Sequence, residues 1–239
     1  MASTQVRLTW LGHSTFRLQS AQGKALLIDP WVQGNPACPD SEKSITALDA
    51  MLITHGHFDH IGDAVRIANE SKPAAVVAVY ETTAWLEGKG VVNCLSMNKG
   101  GTAEPLPGIK VTMVHADHSC GIVDDGKVIY GGEPCGYVIE LENGTRIYHA
   151  GDTNVFGDMK IIGELYQPHV VLLPIGGLYT MSPREAALAV RLLGRKRVIP
   201  MHYATFPVLT GTPAELRSLT QDIAGLEIIE LKPGGSYAL

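Results

Sequence analysis

The chain has 239 residues, 45% of them hydrophobic and 18% charged, with a formal net charge of −5. That is ample apolar material for a large core, and the acidic balance argues against a general nucleic-acid or anionic-membrane surface. No stretch approaches the ~18 uninterrupted apolar residues of a membrane helix. The polar start Met1-Ala2-Ser3-Thr4-Gln5 shows no secretory signal, and Cys38, Cys94, Cys120 and Cys135 form no Cys-x-x-Cys pair. Free thiols in a cytoplasmic protein are the expectation.

In chain order, Val6–Trp10, Thr15–Leu18 and Ala25–Ile28 read as strands, with a bend at Gly12 and a stop at Asp29-Pro30. Residues 32–47, with Gly34, Pro36 and Pro39, read as a polar loop expected to lie as a flap over a site. A short strand at 50–53 leads into a helix from about 61 to 70, stopped by Ser71-Lys72-Pro73. The continuous apolar run Ala74–Val79 predicts a strand covered on both faces, as in a sheet with helices outside. A helix over Glu81–Glu87 and a strand near Val91–Leu95 close the first half.

The second half repeats the theme. Ile109–Val114 is a strand leading to His115-Ala116-Asp117-His118. Tyr137–Leu141 and Thr145–Tyr148 flank an Asn143-Gly144 turn, a hairpin signature. Like the hairpin that ends in Asp29, this one runs on to an aspartate, Asp152. Ser182-Pro183-Arg184-Glu185 and Thr212-Pro213-Ala214-Glu215 combine an N-cap hydroxyl, a first-turn proline and a glutamate, the marks of a helix start. Val198–Pro200 delivers His202, and Leu226–Leu231 is expected as the last substantial strand. No linker or low-complexity segment interrupts the chain, which reads as one domain over 1–239.

The chemistry concentrates in Thr54-His55-Gly56-His57-Phe58-Asp59-His60. Three imidazoles and a carboxylate crowd one turn at a strand's C-terminal end, where open α/β sheets place their sites. Neutral imidazole suits zinc and other divalent first-row metals, and a carboxylate adds an anionic oxygen. The segment reads as a metal site. Cys120, two residues past His118, offers a softer ligand, and Tyr203 and Phe206 are candidates for pocket walls or core.

The form His-x-His-x-Asp-His resembles the metallo-β-lactamase superfamily, and Asp29, His118, Asp152 and His202 stand in the order and rough spacing of its other landmarks. Gly12-His13-Ser14-Thr15-Phe16, Ile28-Asp29-Pro30-Trp31 and Pro200-Met201-His202-Tyr203 look most like a group of uncharacterised metal-dependent hydrolases. That group is similar to ascorbate-6-phosphate lactonase and, distantly, to the phospholipase that cleaves N-acyl-phosphatidylethanolamine. The resemblance implies an α/β, four-layer αβ/βα sandwich of two mixed sheets with helices outside. It implies two divalent ions, zinc first, with manganese, iron, cobalt or nickel accepted by the same donors. His55, His57 and His118 would hold one ion, Asp59, His60 and His202 the other, and Asp152 would bridge them. The Ala116-Asp117-His118-Ser119 context favours His118 over His115, which then touches substrate, supports a ligand or lies on the surface. Asp29 either orients a metal-bound imidazole or caps the turn before Pro30. His13 contacts substrate, supports a ligand or packs in its turn.

Two cations about 3.5–4 Å apart can share a hydroxide and stabilise attacking and leaving oxygens together. No Gly-x-Ser-x-Gly nucleophile motif competes with that reading. The expected activity is hydrolysis of a small anionic ester, lactone or phosphodiester, with a small-molecule substrate, no nucleic acid, no membrane and a homo-oligomer left open. Di-iron oxidoreductases of this fold typically carry glutamate where this chain has His57, and they join a flavin domain. Non-catalytic relatives lose ligands, whereas every position is filled here. A nuclease would need an inserted basic domain that this chain lacks.

Overall fold

Continuous apolar runs form central strands buried on both faces, and the strands assemble into two sheets. A computed structural model describes residues 5–239, so Met1–Thr4 of the polar start lie outside the described residues. The strands, in chain order, begin with β1 (Arg7–Trp10), β2 (Phe16–Gln19), β3 (Ala25–Ile28), β4 (Ala50–Leu52), β5 (Ala75–Val79) and β6 (Cys94–Met97). Then come β7 (Thr102–Leu106), β8 (Ile109–His115), β9 (Gly121–Asp124) and β10 (Lys127–Tyr130). The series ends with β11 (Cys135–Glu140), β12 (Arg146–His149), β13 (Val170–Pro174), β14 (Arg197–Met201), β15 (Glu227–Ile228) and β16 (Ser236–Ala238). The helices are α1 (Phe58–Ile61), α2 (Ala64–Ser71), α3 (Tyr80–Gly88), α4 (Met159–Tyr166), α5 (Pro183–Leu193) and α6 (Pro213–Leu219).

One sheet has the order β16-β1-β2-β3-β4-β5-β6 and the other β15-β14-β13-β12-β11-β8-β7, with β9 and β10 forming a separate hairpin. Both sheets are mixed in the same way. Pairings from β16 through β3 are antiparallel and those from β3 to β6 parallel. The second sheet repeats this, antiparallel from β7 through β12 and parallel from β12 to β15. The internal repeat hinted at by the two aspartate-ended hairpins therefore extends to every strand pairing.

The doubly covered strand reading holds for β5. Val77 faces the core between the sheets with Leu52 and Ile28, while Val76 and Ala78 face outward onto Met51, Ile67 and Leu86. The outer cluster joins the first sheet to α1, α2 and α3, and α4, α5 and α6 pack on one another over the second sheet, giving the four-layer sandwich. The halves are sewn at one end of the sheets by backbone bonds from Cys135 to the Thr54 carbonyl (3.0 Å) and from His202 to the His13 carbonyl (3.0 Å). Tyr137 Oη adds a bond to the Ile53 carbonyl at 2.8 Å. Among the described residues, no helix is long and apolar enough to cross a membrane.

Helix ends follow their capping chemistry. Ser182 and Glu185 form a complete capping box at α5, and Gly194 closes it in the left-handed region at φ 62°. The single helix expected at 61–70 is instead two. Asp63 stands between them, one carboxylate oxygen accepting from the Val32 and Gln33 amides at 2.6 and 2.8 Å and the other from Arg66, with α1 ending at Ile61 and α2 starting at Ala64. Those bonds also correct the flap. Cys38, Ile45 and Leu48 of the 32–47 region and its flank pack on the outer cluster, and no residue of 32–47 lines the metal-site pocket. The strand expected over 226–231 shrinks to β15, because the chain leaves the sheet after Ile229 and crosses to the first half. There Gly234 and Gly235 bond Trp10 and β16 pairs with β1.

The α4–α5 contact depends on a bare backbone. A methyl at Gly163 would overlap the Leu193 carbonyl. Gly163→Ala should therefore lower stability by roughly 1–3 kcal/mol through overpacking. Urea unfolding measures it, and an unchanged midpoint would contradict the contact.

Candidate metal centre

The loop after β4 is organised by one buried carboxylate at the end of β3. Asp29 is fully buried and its oxygens accept from the Thr54 amide (2.8 Å), the Thr54 hydroxyl (2.8 Å) and His60 Nδ1 (2.8 Å). Because the Thr54 hydroxyl proton is committed to Asp29, its oxygen accepts from His55 Nδ1 at 3.1 Å. Both imidazoles thereby carry a proton on Nδ1 and turn Nε2 inward. Such outer carboxylates orient metal-binding imidazoles.

His57 Nδ1 lies 3.0 Å from His55 Nε2 and 3.3 Å from His118 Nε2, so three rings from two loops converge. The second half adds Asp152, 2% exposed, just past β12, and His202, 1% exposed, just past β14. Asp152 Oδ2 stands 2.9 Å from His202 Nε2, 3.2 Å from His60 Nε2, 3.7 Å from His118 Nε2 and 4.0 Å from His55 Nε2. Asp59 Oδ2 is 4.0 Å from His202 Nε2. Candidate ligand atoms gather as His55, His57 and His118, as His55, His60 and Asp152, and as His13, Asp59, His60 and His202, each group within 4.8 Å.

Electrostatics put most of these side chains in their ligand form. Burial pushes the pKa values of His55, His57 and His118 below the ordinary imidazole range, so they are neutral with a free lone pair. His60 is lowered by burial but raised further by Asp152 and Asp29, which together hold it well above that range. Burial would raise Asp152, yet His202 and His60 outweigh it and keep the carboxylate ionised. Asp59 is likewise brought down to about 2, burial being overcome by the His13 hydrogen bond and His60. His60 Nε2, Asp152 Oδ1 and His202 Nδ1 are buried with no hydrogen-bond partner among the described residues. Buried polar atoms are normally satisfied, and an unpaired Asp152 oxygen beside the inward-facing Nε2 atoms of His60 and His202 fits a divalent cation that takes the place of the His60 proton.

His13 enters this cluster more closely than a turn residue would. Its Nε2 donates to Asp59 Oδ2 at 3.0 Å, its Nδ1 is 3.0 Å from the Thr205 hydroxyl, and burial lowers its pKa to about 4. His115 stands apart at the exposed end of β8, beside Lys99 and edge-on to Phe156. His149 is a buried structural group, Nε2 donating to the Ser14 carbonyl (3.0 Å) and Nδ1 accepting the Gly151 amide (3.1 Å). Cys120 stays a thiol, raised by burial and bonded to the Gly56 amide and the Gly131 carbonyl. Tyr203 stacks on Trp10 in the core, whereas Phe206 lines the pocket.

Sequence reasoning missed Thr54, Thr205 and the β9–β10 hairpin. The hairpin had a signal: Asp125-Gly126, both at positive φ (48° and 74°), is a tight-turn pair. The two threonines had none, since their hydroxyls matter only through partners distant in sequence.

Two expectations follow. His118→Ala should lose metal while His115→Ala keeps it, read by elemental analysis; the reverse pattern would exchange their roles. Metal-free protein should also melt lower by several degrees as pH falls from 7 to 5. His13, His55, His57, His118 and His149 have lowered values. Below about 6.5 the unfolded chain thus binds protons that the native state refuses. His60 has the opposite sign, its stabilisation complete below about 6.5 and lost as pH rises through its raised value. A melting temperature that holds or rises toward pH 5 contradicts a cluster of buried neutral imidazoles.

Known proteins share this sequence and fold. The β-lactamase superfamily domain matches residues 24–203. A metal-dependent hydrolase of Koribacter versatilis is 55% identical over 233 residues, covering 98% of each chain. One of Solibacter usitatus is 54% identical, over 96% of this chain and 98% of that protein. The structure of a metallo hydrolase from the hyperthermophilic archaeon Ignicoccus hospitalis matches with a TM-score of 0.86 and 36% identity over 98% of both chains. The chain belongs to the β-lactamase superfamily, among its UPF0173 metal-dependent hydrolases.

Proposed function

We propose that this hydrolase works with two divalent ions on a small-molecule ester, lactone or phosphodiester. His55, His57 and His118 would hold one ion, Asp59, His60 and His202 the other, and Asp152 would serve both. The observation that carries the reading is the position of Asp152 Oδ2, between His55 and His118 at 4.0 and 3.7 Å and His60 and His202 at 3.2 and 2.9 Å. The nitrogen and oxygen donors suit zinc, and they accept manganese, iron, cobalt or nickel. Bound ions of this kind supply a nucleophile from water near neutral pH together with Lewis acidity.

The chain's own residues do the rest. Asp29 and Thr54 orient His55 and His60 so that Nε2 faces Asp152. His13 fixes one oxygen of Asp59 and, through Thr205, is itself fixed. Held at about 2, Asp59 is too weak a base to draw a proton efficiently at neutral pH, so its negative charge suits ligation better than general-base work. Ser119 sits 3.2 Å from His57 Nε2 at the pocket wall.

Elemental analysis should give about two ions per chain, and Asp152→Ala should lose at least one of them; full occupancy in that variant would remove the sharing role. Asp29→Ala should lower turnover by roughly 10–100-fold, because it orients ligands without holding an ion. In a single turnover in labelled water, label should enter the product directly. Oxygen arriving first from a side chain would mean a covalent intermediate and a different mechanism.

A further inference from the structure

The pocket over the candidate ligands, about 610 Å3, has a polar floor and apolar walls. Phe58, Val123, Tyr179, Phe206, Pro207 and Val208 form the walls, and among the described residues no lysine or arginine lines it. Phe58, Val123 and Tyr179 are 60%, 64% and 58% exposed. Large apolar side chains gathered in water around a concave site mark a surface that a ligand covers.

These walls are braced. Trp31, 5% exposed, meets Phe58 edge-on at 5.7 Å and lies 6.0 Å from Phe206. On β9, Ile122 turns inward against Gly56, which leaves Val123 facing out. Asp124 ties the hairpin to α3 by accepting from Trp85 Nε1 (2.9 Å) and Lys89 Nζ (2.7 Å). A neighbouring hollow of about 330 Å3 shares His118, Ser119 and Gly121 with the pocket and continues the apolar surface through Val128 and Tyr130.

We propose that the substrate carries an uncharged apolar group, an acyl chain at least as long as hexanoyl or a ring of that size, which lies against this wall. A phosphate or carboxylate there would leave water for hydrocarbon with no cation to meet it, a heavy desolvation penalty. The inference departs from the anionic substrate expected from sequence, and for turnover it rests on the hydrolytic reading of the site. In the ester case, water oxygen bonds to the carbonyl carbon, the carbon–oxygen bond to the alcohol breaks, and the alcohol leaves with a proton.

Binding and turnover can be tested separately on zinc-loaded protein. Calorimetric titration with straight-chain hydroxamic acids from acetyl to octanoyl keeps the metal-seeking head constant. Affinity should rise roughly two- to fourfold per methylene up to hexanoyl, with an increasingly negative heat-capacity change. Val123→Ser combined with Tyr179→Ser should bind the same metal complement and flatten the series. Equal affinities along the series, no binding by any member, or a preference for chains ending in a carboxylate or phosphate would overturn the proposal. Cleavage of p-nitrophenyl esters of the same acids then separates the readings. Equal kcat/KM along the ester series alongside flat hydroxamate affinities leaves a hydrolase without the apolar preference. Rising hydroxamate affinity with no ester cleaved keeps the apolar site and removes ester hydrolysis.

Discussion

A carboxylate sealed from water at the end of β3 sets the geometry around it. Asp29 must be stabilised by hydrogen bonds, because a buried unpaired anion is prohibitive, and Thr54 and His60 provide them. The same bonds determine where the protons sit on His55 and His60. Backbone strain accompanies this arrangement: Asp29, His13 and His202 lie in the left-handed region at φ 50°, 55° and 54°. Each such residue costs on the order of 1–3 kcal/mol and persists only where its surroundings over-determine it. Here they do, through the Thr15 hydroxyl on the Asp29 carbonyl (2.7 Å), Trp10 Nε1 on the His13 carbonyl (2.8 Å) and the His202 amide on that same carbonyl (3.0 Å). The core between the sheets supports a site that is locally unfavourable.

The two halves share a strand plan but divide the chemistry unequally. After β4 the first half places His55, His57, Asp59 and His60 in one turn. The corresponding segment after β13 carries Gly176 and Gly177, and a side chain at Gly176 would meet the His202 carbonyl and Leu209. Where one half supplies candidate ligands, the other supplies room for the chain that brings His202 in. The second half's candidate ligands come singly, from loops after β8, β12 and β14. Asp152 takes its close neighbours from both halves, so neither half builds the cluster alone.

Much of this was legible because the sequence signals are local. Four ligand-type side chains in one turn need no tertiary knowledge to be noticed, and the continuous apolar runs of β4 and β5 stand out in the same way. The failures were of two kinds. Where a side chain holds a distant backbone, as Asp63 does for Val32 and Gln33, the periodic pattern continues through a break that only the partner explains. Where a helix start lacks the hydroxyl, proline and glutamate that mark α5 and α6, as at α4, the helix goes unnoticed. The absence of cations around the pocket was likewise invisible, since its walls come from α1, β9 and the loops near Tyr179 and Phe206.

The β9–β10 hairpin has no counterpart in the first half, where β1 and β2 are joined by the short bend at 11–15. It leaves the cluster after His118, is pinned at its base by Cys120 and Ile122, and ends in a tip that touches no candidate ligand other than through the pocket. Residues 123–130 can accordingly diverge without disturbing the charges that hold the cluster together. Under the proposed apolar wall, rewriting this one appendage would change which molecules the protein accepts and leave the strained, costly centre beneath it untouched.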